Sequence, residues 1–204
     1  MTRFLQSIVI SLMMIGGGAA FAANAPMEDA LAEKSIGSPD APVTIYEYAS
    51  LSCSHCMAFH LNTLPKIKKA YIDTGKVRLV YNDFPLGGLA TAAAMLARCA
   101  GSKKYFGLIE LFFRGQKKWG RSDTPRDELE KIVRFVGMTS DDFDACLDNK
   151  QLLATIEARK AAAVKKYGIE STPTFIIEGT KVPGNLPFED FQDIIEKALK
   201  KKKN

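Results

Sequence analysis

The sequence has 204 residues, of which 47% are hydrophobic and 25% are charged, values that are normal for a soluble globular protein. This length allows one domain, or one domain with a large insertion, and it suffices to bury a core without disulfides for bulk stability. The net charge of +5 comes partly from the lysine tail 200–203, which we interpret as a solvated terminus and not as a nucleic-acid or lipid contact.

Residues 1–22 have the features of a cleaved secretory signal peptide. Arg3 supplies a short positive region, and the apolar run 8–15 follows it. Ala20-Phe21-Ala22 is a small–x–small pattern, so we expect cleavage after Ala22, with Ala25 as the second choice. The alternative is an uncleaved anchor, although the run is shorter than the about 20 residues that span a bilayer. No cysteine adjoins the cleavage site, which argues against a lipoprotein.

The first half of the mature chain predicts a β-α-β unit. The strands are β-branched and aromatic, and apolar residues recur at three- and four-residue steps in the helix. Pro65 is expected to bend this helix, and Gly75 to end it. The predicted elements are a flexible leader over 23–41 with one short helix at 28–33, a strand over 43–48, a helix over 56–71 and a strand over 77–81.

The second half predicts a run of helices and then a β-β-α unit. Thr124 and Pro125 suit the cap and first position of a helix, and Glu178-Gly179-Thr180 suits a hairpin turn. The predicted helices are 90–99, 105–116, 126–136, 141–148 and 151–166. The final unit comprises strands at 173–178 and 181–183 and an amphipathic helix at 188–200.

This order of elements predicts an α/β fold with one mixed sheet. A β-α-β unit followed later by a β-β-α unit is the plan of the thioredoxin fold, here with an all-helical domain inserted in the middle. We assign residues 23–87 and 168–204 to the thioredoxin-like domain and residues 88–167 to the inserted domain. No internal repeat or low-complexity segment is present.

Cys53-Ser54-His55-Cys56 is the predicted chemical centre, because it follows a strand and opens a helix. A thiol at a helix N-terminus faces unpaired backbone N–H groups and the positive end of the helix dipole, which lower its pKa. We expect Cys53 to be the exposed nucleophile and Cys56 the buried partner. His55 can place a positive charge or an N–H donor near the Cys53 sulfur.

A structural disulfide and half of a zinc site are the alternatives for this pair. A four-residue loop gives little loop-closure stabilisation, so a structural role is disfavoured. Zinc requires four ligands, commonly two such pairs, and the sequence offers only one. His60 lies one turn along the same helix, without a second ligand to join it, and is expected to be a partly buried helix residue. No metal and no cofactor are therefore predicted.

The segment around this motif, Glu47 to Phe59, resembles the active-site strand and helix of the DsbA family of periplasmic disulfide oxidases. Further matches run in order through nearly the whole mature chain, at 81–86, 97–100, 143–147 and 168–175. The chain is most similar to the alphaproteobacterial and BdbD-like branch, whose helical domain carries a second cysteine pair. The dithiol spacing alone is shared by all thioredoxin relatives, so the combination carries the resemblance.

The resemblance implies roles for three residues around the dithiol. Pro173 is expected to follow a cis peptide bond and to lie against the dithiol, which exposes the Thr172 backbone to a substrate strand; the alternative is an ordinary trans proline. Glu47 is expected beneath the buried cysteine, where it assists proton transfer. Its alternative is the solvent face of the strand, and the alternation along the strand does not decide between them.

The resemblance and an oxidising compartment also imply a disulfide between Cys99 and Cys146, which would tie the first and fourth helices of the insertion together. The alternative is two separate buried thiols that act as small apolar residues. Trp119 lies among basic residues at 117–121, and we interpret this segment as an exposed turn, either a partner patch or a tryptophan that packs a loop.

Together these features predict a periplasmic thiol–disulfide oxidoreductase that introduces disulfides into exported proteins through Cys53 and Cys56. The resemblance implies substrates that are unfolded exported proteins with free thiols, and a quinone-linked membrane reoxidant of the DsbB type. A monomer is expected, with a membrane-anchored form facing the periplasm as the alternative location. The competing functions are a disulfide isomerase or reductase of the same fold, and a non-catalytic peptide-binding chaperone.

Overall fold

The computed structural model describes residues 24–203, and the predicted signal peptide at 1–22 lies outside these described residues. The strands are β1 Lys34–Ile36, β2 Val43–Ala49, β3 Val77–Asp83, β4 Thr174–Ile177 and β5 Thr180–Pro183. They form one mixed sheet in the order β1-β3-β2-β4-β5. β2 and β3 are parallel, and the other neighbouring strands are antiparallel. The predicted α/β class with a thioredoxin-type sheet is therefore confirmed.

The helices before the inserted region are α1 Met27–Leu31, α2 Ser54–Ala58 and α3 Leu64–Ile67, with π-helical segments π1 Phe59–Thr63 and π2 Lys68–Ile72. The consecutive segments from α2 to π2 make one rod, residues 54–72, which we call the dithiol helix. The later helices are α4 Gly88–Cys99, α5 Ser102–Trp119, α6 Pro125–Arg134, α7 Ser140–Leu147, α8 Lys150–Tyr167 and α9 Phe188–Lys203. Within the part of the chain that is described, none of them is long and apolar enough to cross a membrane.

One face of the sheet packs against the dithiol helix and α9. Alternate residues of a strand share a face, so Val43 and Ile45 of β2 point the same way as their β3 partners, and all are fully buried. Phe59 of the dithiol helix fills the space between this face and α9. Its ring lies 4.6 Å from that of Phe175 and 5.4 Å from that of Phe191. Glu47 follows Val43 and Ile45 on the same face.

The five helices α4 to α8 lie between β3 and β4 in sequence, and their buried residues share one hydrophobic core with Ala49, Leu51, Cys56 and Tyr81. Trp119 belongs to this core: its side chain is fully buried, and its indole N–H donates to the carbonyl of Phe112 at 2.8 Å. The prediction that Trp119 marks an exposed turn is therefore wrong. Cys99 of α4 is joined to Cys146 of α7 by a disulfide.

The segment before β2 is more ordered than the sequence predicts. It forms α1 and β1, and β1 pairs with β3. Lys34 of β1 is buried, and its ammonium donates to the Asp29 carbonyl at 2.6 Å and to the Ser102 hydroxyl at 2.8 Å. The predicted short helix at 28–33 is confirmed as α1. The prediction that the rest of 23–41 is flexible is wrong at β1, because this strand pairs with β3 and Lys34 is bonded to Ser102 of the inserted helices.

A buried polar network joins the end of the sheet to the inserted helices. The Asp83 carboxylate of β3 accepts from the Arg98 guanidinium at 2.5 Å and from the Tyr105 hydroxyl at 3.1 Å. Arg98 also donates to the carbonyl of Ala30 at 2.9 Å. Four elements, α1, β3, α4 and α5, thereby satisfy one another's buried polar groups.

The helix ends follow the sequence signals with one exception. Pro125 occupies the first turn of α6 as predicted, but Thr124 makes no side-chain cap hydrogen bond. The Thr124 backbone N–H instead donates to the Ser122 hydroxyl at 3.0 Å. Glu178 and Gly179 have φ angles of 46° and 82°, which suit the predicted hairpin turn between β4 and β5.

Candidate active site

The dithiol lies where the chain leaves β2 and enters the dithiol helix. Cys53 is the N-cap residue of α2, and Cys56 lies in the first turn of that helix. The Cys56 backbone N–H donates to the Cys53 sulfur at 3.4 Å, so the sulfur occupies the place of a capping oxygen. Cys53 is partly exposed, whereas Cys56 is fully buried. The two sulfurs therefore differ in their access to a partner thiol.

Hydrogen bonds at the helix start lower the pKa of Cys53 to about 5. The largest contribution is the hydrogen bond from the Cys56 thiol, and the backbone N–H groups of Cys56 and His55 act in the same direction. Partial burial of Cys53 opposes them. Donors at a helix N-terminus stabilise the thiolate, so Cys53 is ionised at neutral pH.

Cys56 has the opposite electrostatic environment. Burial raises the pKa of its thiol well above the ordinary value, and the Cys53 sulfur and the Glu47 carboxylate raise it further. The reduced pair therefore holds one thiolate at Cys53 and one thiol at Cys56. This division of charge suits a sulfur that leaves easily and a partner that must gain or lose a proton.

The loop before β4 lies directly against Cys53. The Thr172–Pro173 peptide bond is cis, and the Thr172 carbonyl oxygen is 3.2 Å from the Cys53 sulfur. Thr172 is itself buried, and its hydroxyl has no hydrogen-bond partner within residues 24–203. Thr172 and Pro173 are thus brought to the dithiol from a position about 120 residues later in the chain.

Gln116 of α5 lies near the dithiol and was not predicted from the sequence. Its side-chain amide donates to the carbonyl of Leu51 at 2.7 Å and to that of Cys53 at 2.9 Å, which fixes the loop before the helix. Phe112 and Trp119, four residues before and three after Gln116, are fully buried. The position of Gln116 on an otherwise apolar, buried stripe of α5 is a signal that could have predicted a structural role, because a buried amide needs hydrogen-bond partners.

Ser54 and His55 both occupy exposed positions in the first turn of the dithiol helix. His55 contributes its backbone N–H to the stabilisation of the Cys53 thiolate. Neither residue is part of the buried surroundings of Cys56. Both residues are therefore accessible to solvent beside the dithiol.

Glu47 is fully buried, so the alternative that it lies on the solvent face of its strand is wrong. Its two carboxylate oxygens lie 2.9 Å and 3.1 Å from Nε2 of His60, a residue for which the sequence predicted no partner. Glu47 also pairs in register with Tyr81 on β3. A buried carboxylate is costly unless it is hydrogen-bonded, and His60 provides that bond.

The other cysteine pair and the histidines form no metal centre among the residues described. Cys99 and Cys146 are consumed by their disulfide, and residues 24–203 contain no group of three or more histidine, cysteine, aspartate or glutamate side chains placed to hold a metal ion. The structure therefore places the dithiol, the Thr172–Pro173 loop and Glu47 together, and the second cysteine pair apart from them in the inserted helices.

Comparison with known proteins identifies relatives over most of the chain. A family model described as Thioredoxin matches residues 29–197. A Rickettsia conorii protein, provisionally named as a protein-disulfide oxidoreductase, is 31% identical over 82% of this chain and 61% of its own length. Disulfide bond formation protein D of Bacillus subtilis is 25% identical over 82% of this chain and 77% of its own. This chain thus spans about three fifths of the length of the Rickettsia relative.

Two solved structures share the architecture. The crystal structure of Wolbachia pipientis alpha-DsbA1 has 33% sequence identity and a TM-score of 0.78, and the match covers 83% of this chain and 92% of that one. The oxidised BdbD of Bacillus subtilis has 22% identity and a TM-score of 0.74, over 82% of this chain and 93% of that one. The second match supports the fold alone.

Proposed function

We propose, from the premise that this chain belongs to the DsbA family of thioredoxin-like oxidoreductases, that it oxidises pairs of thiols in exported proteins through Cys53 and Cys56. In this proposal Cys53 and Cys56 are the catalytic residues, and Thr172 and Pro173 support substrate binding. Ser54 and His55 line the exposed side of the dithiol.

One observation carries the proposal: the two sulfurs are held in opposite states. Cys53 is partly exposed with its pKa lowered to about 5, and Cys56 is fully buried with its pKa raised. A stabilised thiolate at Cys53 favours the reduced enzyme, and a stable reduced enzyme makes the Cys53–Cys56 disulfide a strong oxidant. The direction of the reaction therefore follows from the electrostatics of the helix start.

The reaction proceeds by two exchange steps. A substrate thiolate attacks the Cys53 sulfur, the Cys53–Cys56 bond breaks, and Cys56 leaves with the electron pair and takes up one proton. A second substrate thiolate then attacks the substrate sulfur of the mixed disulfide, and Cys53 leaves as a thiolate. The substrate loses two electrons and two protons, and the enzyme retains both electrons and one proton. The other proton passes to solvent.

The Thr172 backbone supports a place for the substrate chain. Its carbonyl lies beside Cys53, and an extended substrate segment can pair with the backbone of this loop, in which the preceding residue Ser171 is exposed. We also propose that the reaction takes place in the periplasm and that a quinone-linked membrane protein of the DsbB type reoxidises the dithiol. The similarity to the Wolbachia and Bacillus proteins supports this reaction class.

Oxidative refolding tests the proposal. We expect the oxidised protein to restore activity to reduced, unfolded ribonuclease A, one enzyme disulfide being lost for each substrate disulfide gained. Cys53→Ser abolishes this transfer. Cys56→Ser, a matched control, also cannot form the enzyme disulfide and does not oxidise the reduced substrate, but its Cys53 thiolate attacks the disulfides of scrambled ribonuclease A and stays joined to that substrate as a mixed disulfide. Full refolding activity in Cys53→Ser would instead support the peptide-binding chaperone.

Equilibration of the dithiol with glutathione buffers separates an oxidase from a reductase of the same fold. We expect a reduction potential well above the about −270 mV of thioredoxin, as in an oxidant with a stabilised reduced form. A potential close to the thioredoxin value would favour the reductase. Rapid correction of scrambled ribonuclease A by the reduced protein would favour a disulfide isomerase.

A further inference from the structure

Four titratable side chains form a buried group beneath the dithiol: Cys56, Glu47, His60 and Tyr81. Cys56 and Glu47 are 0% exposed and Tyr81 is 1% exposed, whereas His60 retains 8%. Of these four, His60 therefore has the greatest contact with solvent. The side chain of His60 is 5% exposed, whereas that of Glu47 is 0% exposed.

His60 and Glu47 share one proton. Nε2 of His60 lies within hydrogen-bond distance of both Glu47 carboxylate oxygens, at 2.9 Å and 3.1 Å. A proton must lie between the imidazole nitrogen and the carboxylate for either contact to be favourable. The ring is fixed in this direction by Phe113, whose ring centre is 4.5 Å away, and by Tyr81 at 5.5 Å.

The backbone of the dithiol helix is adapted to hold His60 in place. His60 lies in the π-helical segment π1, in which the Leu64 N–H reaches back to the carbonyl of Phe59. Pro65 lies two residues after the end of π1. In an α-helix its ring would clash with the carbonyl four residues earlier, and it has no N–H to donate to that carbonyl. The wider π turn relieves this clash. Such π turns inside α-helices occur frequently at functional sites.

Tyr81 leaves an open hydrogen-bonding position in the same group. Its side chain shares a sheet face with Glu47, its neighbour in register on β2. Its hydroxyl is buried and has no partner within the described part of the chain, although a buried hydroxyl normally has one. The other groups packed around this cluster are Cys53, Tyr105 of α5, and the Asp83–Arg98 pair to which Tyr105 is bonded.

We propose that His60 is a positioning residue that holds Glu47 and relays a proton from solvent through it to Cys56. This inference rests on the proposed function, because it supplies the proton that Cys56 takes up when it leaves Cys53. The imidazolium of His60 gives its Nε2 proton to the Glu47 carboxylate as Glu47 gives one to the Cys56 thiolate. Solvent then reprotonates the imidazole, so that the group regains its charge.

The reduction of the oxidised dithiol by dithiothreitol tests this relay directly. The second-order rate constant is measured for the wild type and for His60→Gln from about pH 5 to about pH 9. The ionisation of dithiothreitol affects both proteins equally, so the ratio of the two constants isolates the enzyme. Glutamine keeps an N–H donor for Glu47 but cannot carry an additional proton.

We expect His60→Gln to slow reduction by about 10²-fold near pH 6, the lower end of what positioned proton transfer contributes, and the two rates to converge near pH 9. The sign follows from the additional proton that the relay requires, which acidic solution supplies and alkaline solution removes. A merely structural defect would lower the rate by the same factor at every pH, and equal rates throughout would also overturn the relay.

Two further measurements keep the outcome interpretable. Alkylation of Cys53 by iodoacetamide in the reduced protein needs no proton at Cys56, so His60→Gln leaves this rate within about twofold of the wild type.

Glu47→Gln is expected to give the same pH-limited defect, and the double variant to be no slower than either single one, since both act in one relay. Additive losses would contradict a shared path. If His60→Gln fails to fold, the Glu47→Gln pH profile decides alone.

This test is independent of the proposed function. Dithiothreitol reduces the Cys53–Cys56 disulfide whether or not exported proteins are the natural substrates. Failure of the wild type to refold ribonuclease A would remove the oxidase role and leave the rate comparison intact. A pH-independent ratio in an active oxidase would remove the relay and leave the oxidase role intact.

Discussion

The replacement Cys56→Ala is expected to raise the pKa of Cys53 from about 5 toward the value of an ordinary thiol. The hydrogen bond from the Cys56 thiol is the largest of the contributions that stabilise the Cys53 thiolate. A hydrogen bond to a charged group contributes about 1.5–3 kcal/mol. At about 1.4 kcal/mol for each factor of ten, its loss lowers the acid dissociation constant of Cys53 by about 10- to 100-fold.

The assay follows the ultraviolet absorbance of the thiolate, or the rate of alkylation, from about pH 3 to about pH 9. Cys56→Ala leaves Cys53 as the free thiol of residues 24–203, so the titration has one step. Cys56→Ser is the matched control: its hydroxyl keeps a donor at the same place, and its titration is expected to lie between those of the wild type and the alanine variant.

An unchanged titration in Cys56→Ala would refute the reasoning, because the backbone N–H groups of the helix start would then suffice to lower the pKa of Cys53.

The lowered pKa of Cys53 also has a consequence for stability. Because the pKa of Cys53 is lowered from 9.0 to about 5, the thiolate contributes stability to the folded, reduced protein that is complete above about pH 9 and is lost as pH falls from there through about 5. As pH is lowered toward about 5, the free energy of unfolding of the reduced protein should therefore decrease relative to that of the oxidised protein.

Three further changes test the fold. Asp83→Ala leaves the buried guanidinium of Arg98 unpaired and is expected to destabilise the protein by about 3–5 kcal/mol in urea unfolding; a loss under about 1 kcal/mol would contradict a paired interior site. Replacing Cys99 and Cys146 by alanine opens a loop with a sequence separation of 47 and costs about 4 kcal/mol, a difference that disappears in reducing buffer. Trp119→Ala costs about 3–5 kcal/mol, whereas an exposed tryptophan would cost almost nothing.

The skeleton and the chemical centre were predictable because both depend on short-range patterns. Strand and helix periodicity located β2, β3 and the helices between them, with boundaries that differ by a few residues. The dithiol was recognisable because Cys53 and Cys56 stand between a strand and a helix, so the N-cap position of Cys53 followed from the sequence. The helix dipole and free N–H groups then implied a lowered pKa for Cys53.

The errors arose where a local pattern conflicts with tertiary packing. Basic residues around Trp119 suggested an exposed turn, yet the four- and seven-residue spacing from Phe112 to Gln116 and Trp119 places all three on the buried side of α5. β1 is three residues long and includes Lys34, which composition assigns to the surface. Only its partners, Asp29 and Ser102, make burial of that ammonium tolerable.

The buried polar pairs were the least predictable features, and they share one physical reason. Glu47 and His60 lie on a strand and a π-helical segment, and Asp83 and Arg98 lie on a strand and an inserted helix. Burial of either partner alone would cost free energy. The burial of these residues therefore cannot be predicted until the register of the sheet and the orientation of the helix show that the two partners meet. A sequence with one buried carboxylate beneath a dithiol therefore specifies that a partner exists but not which residue it is.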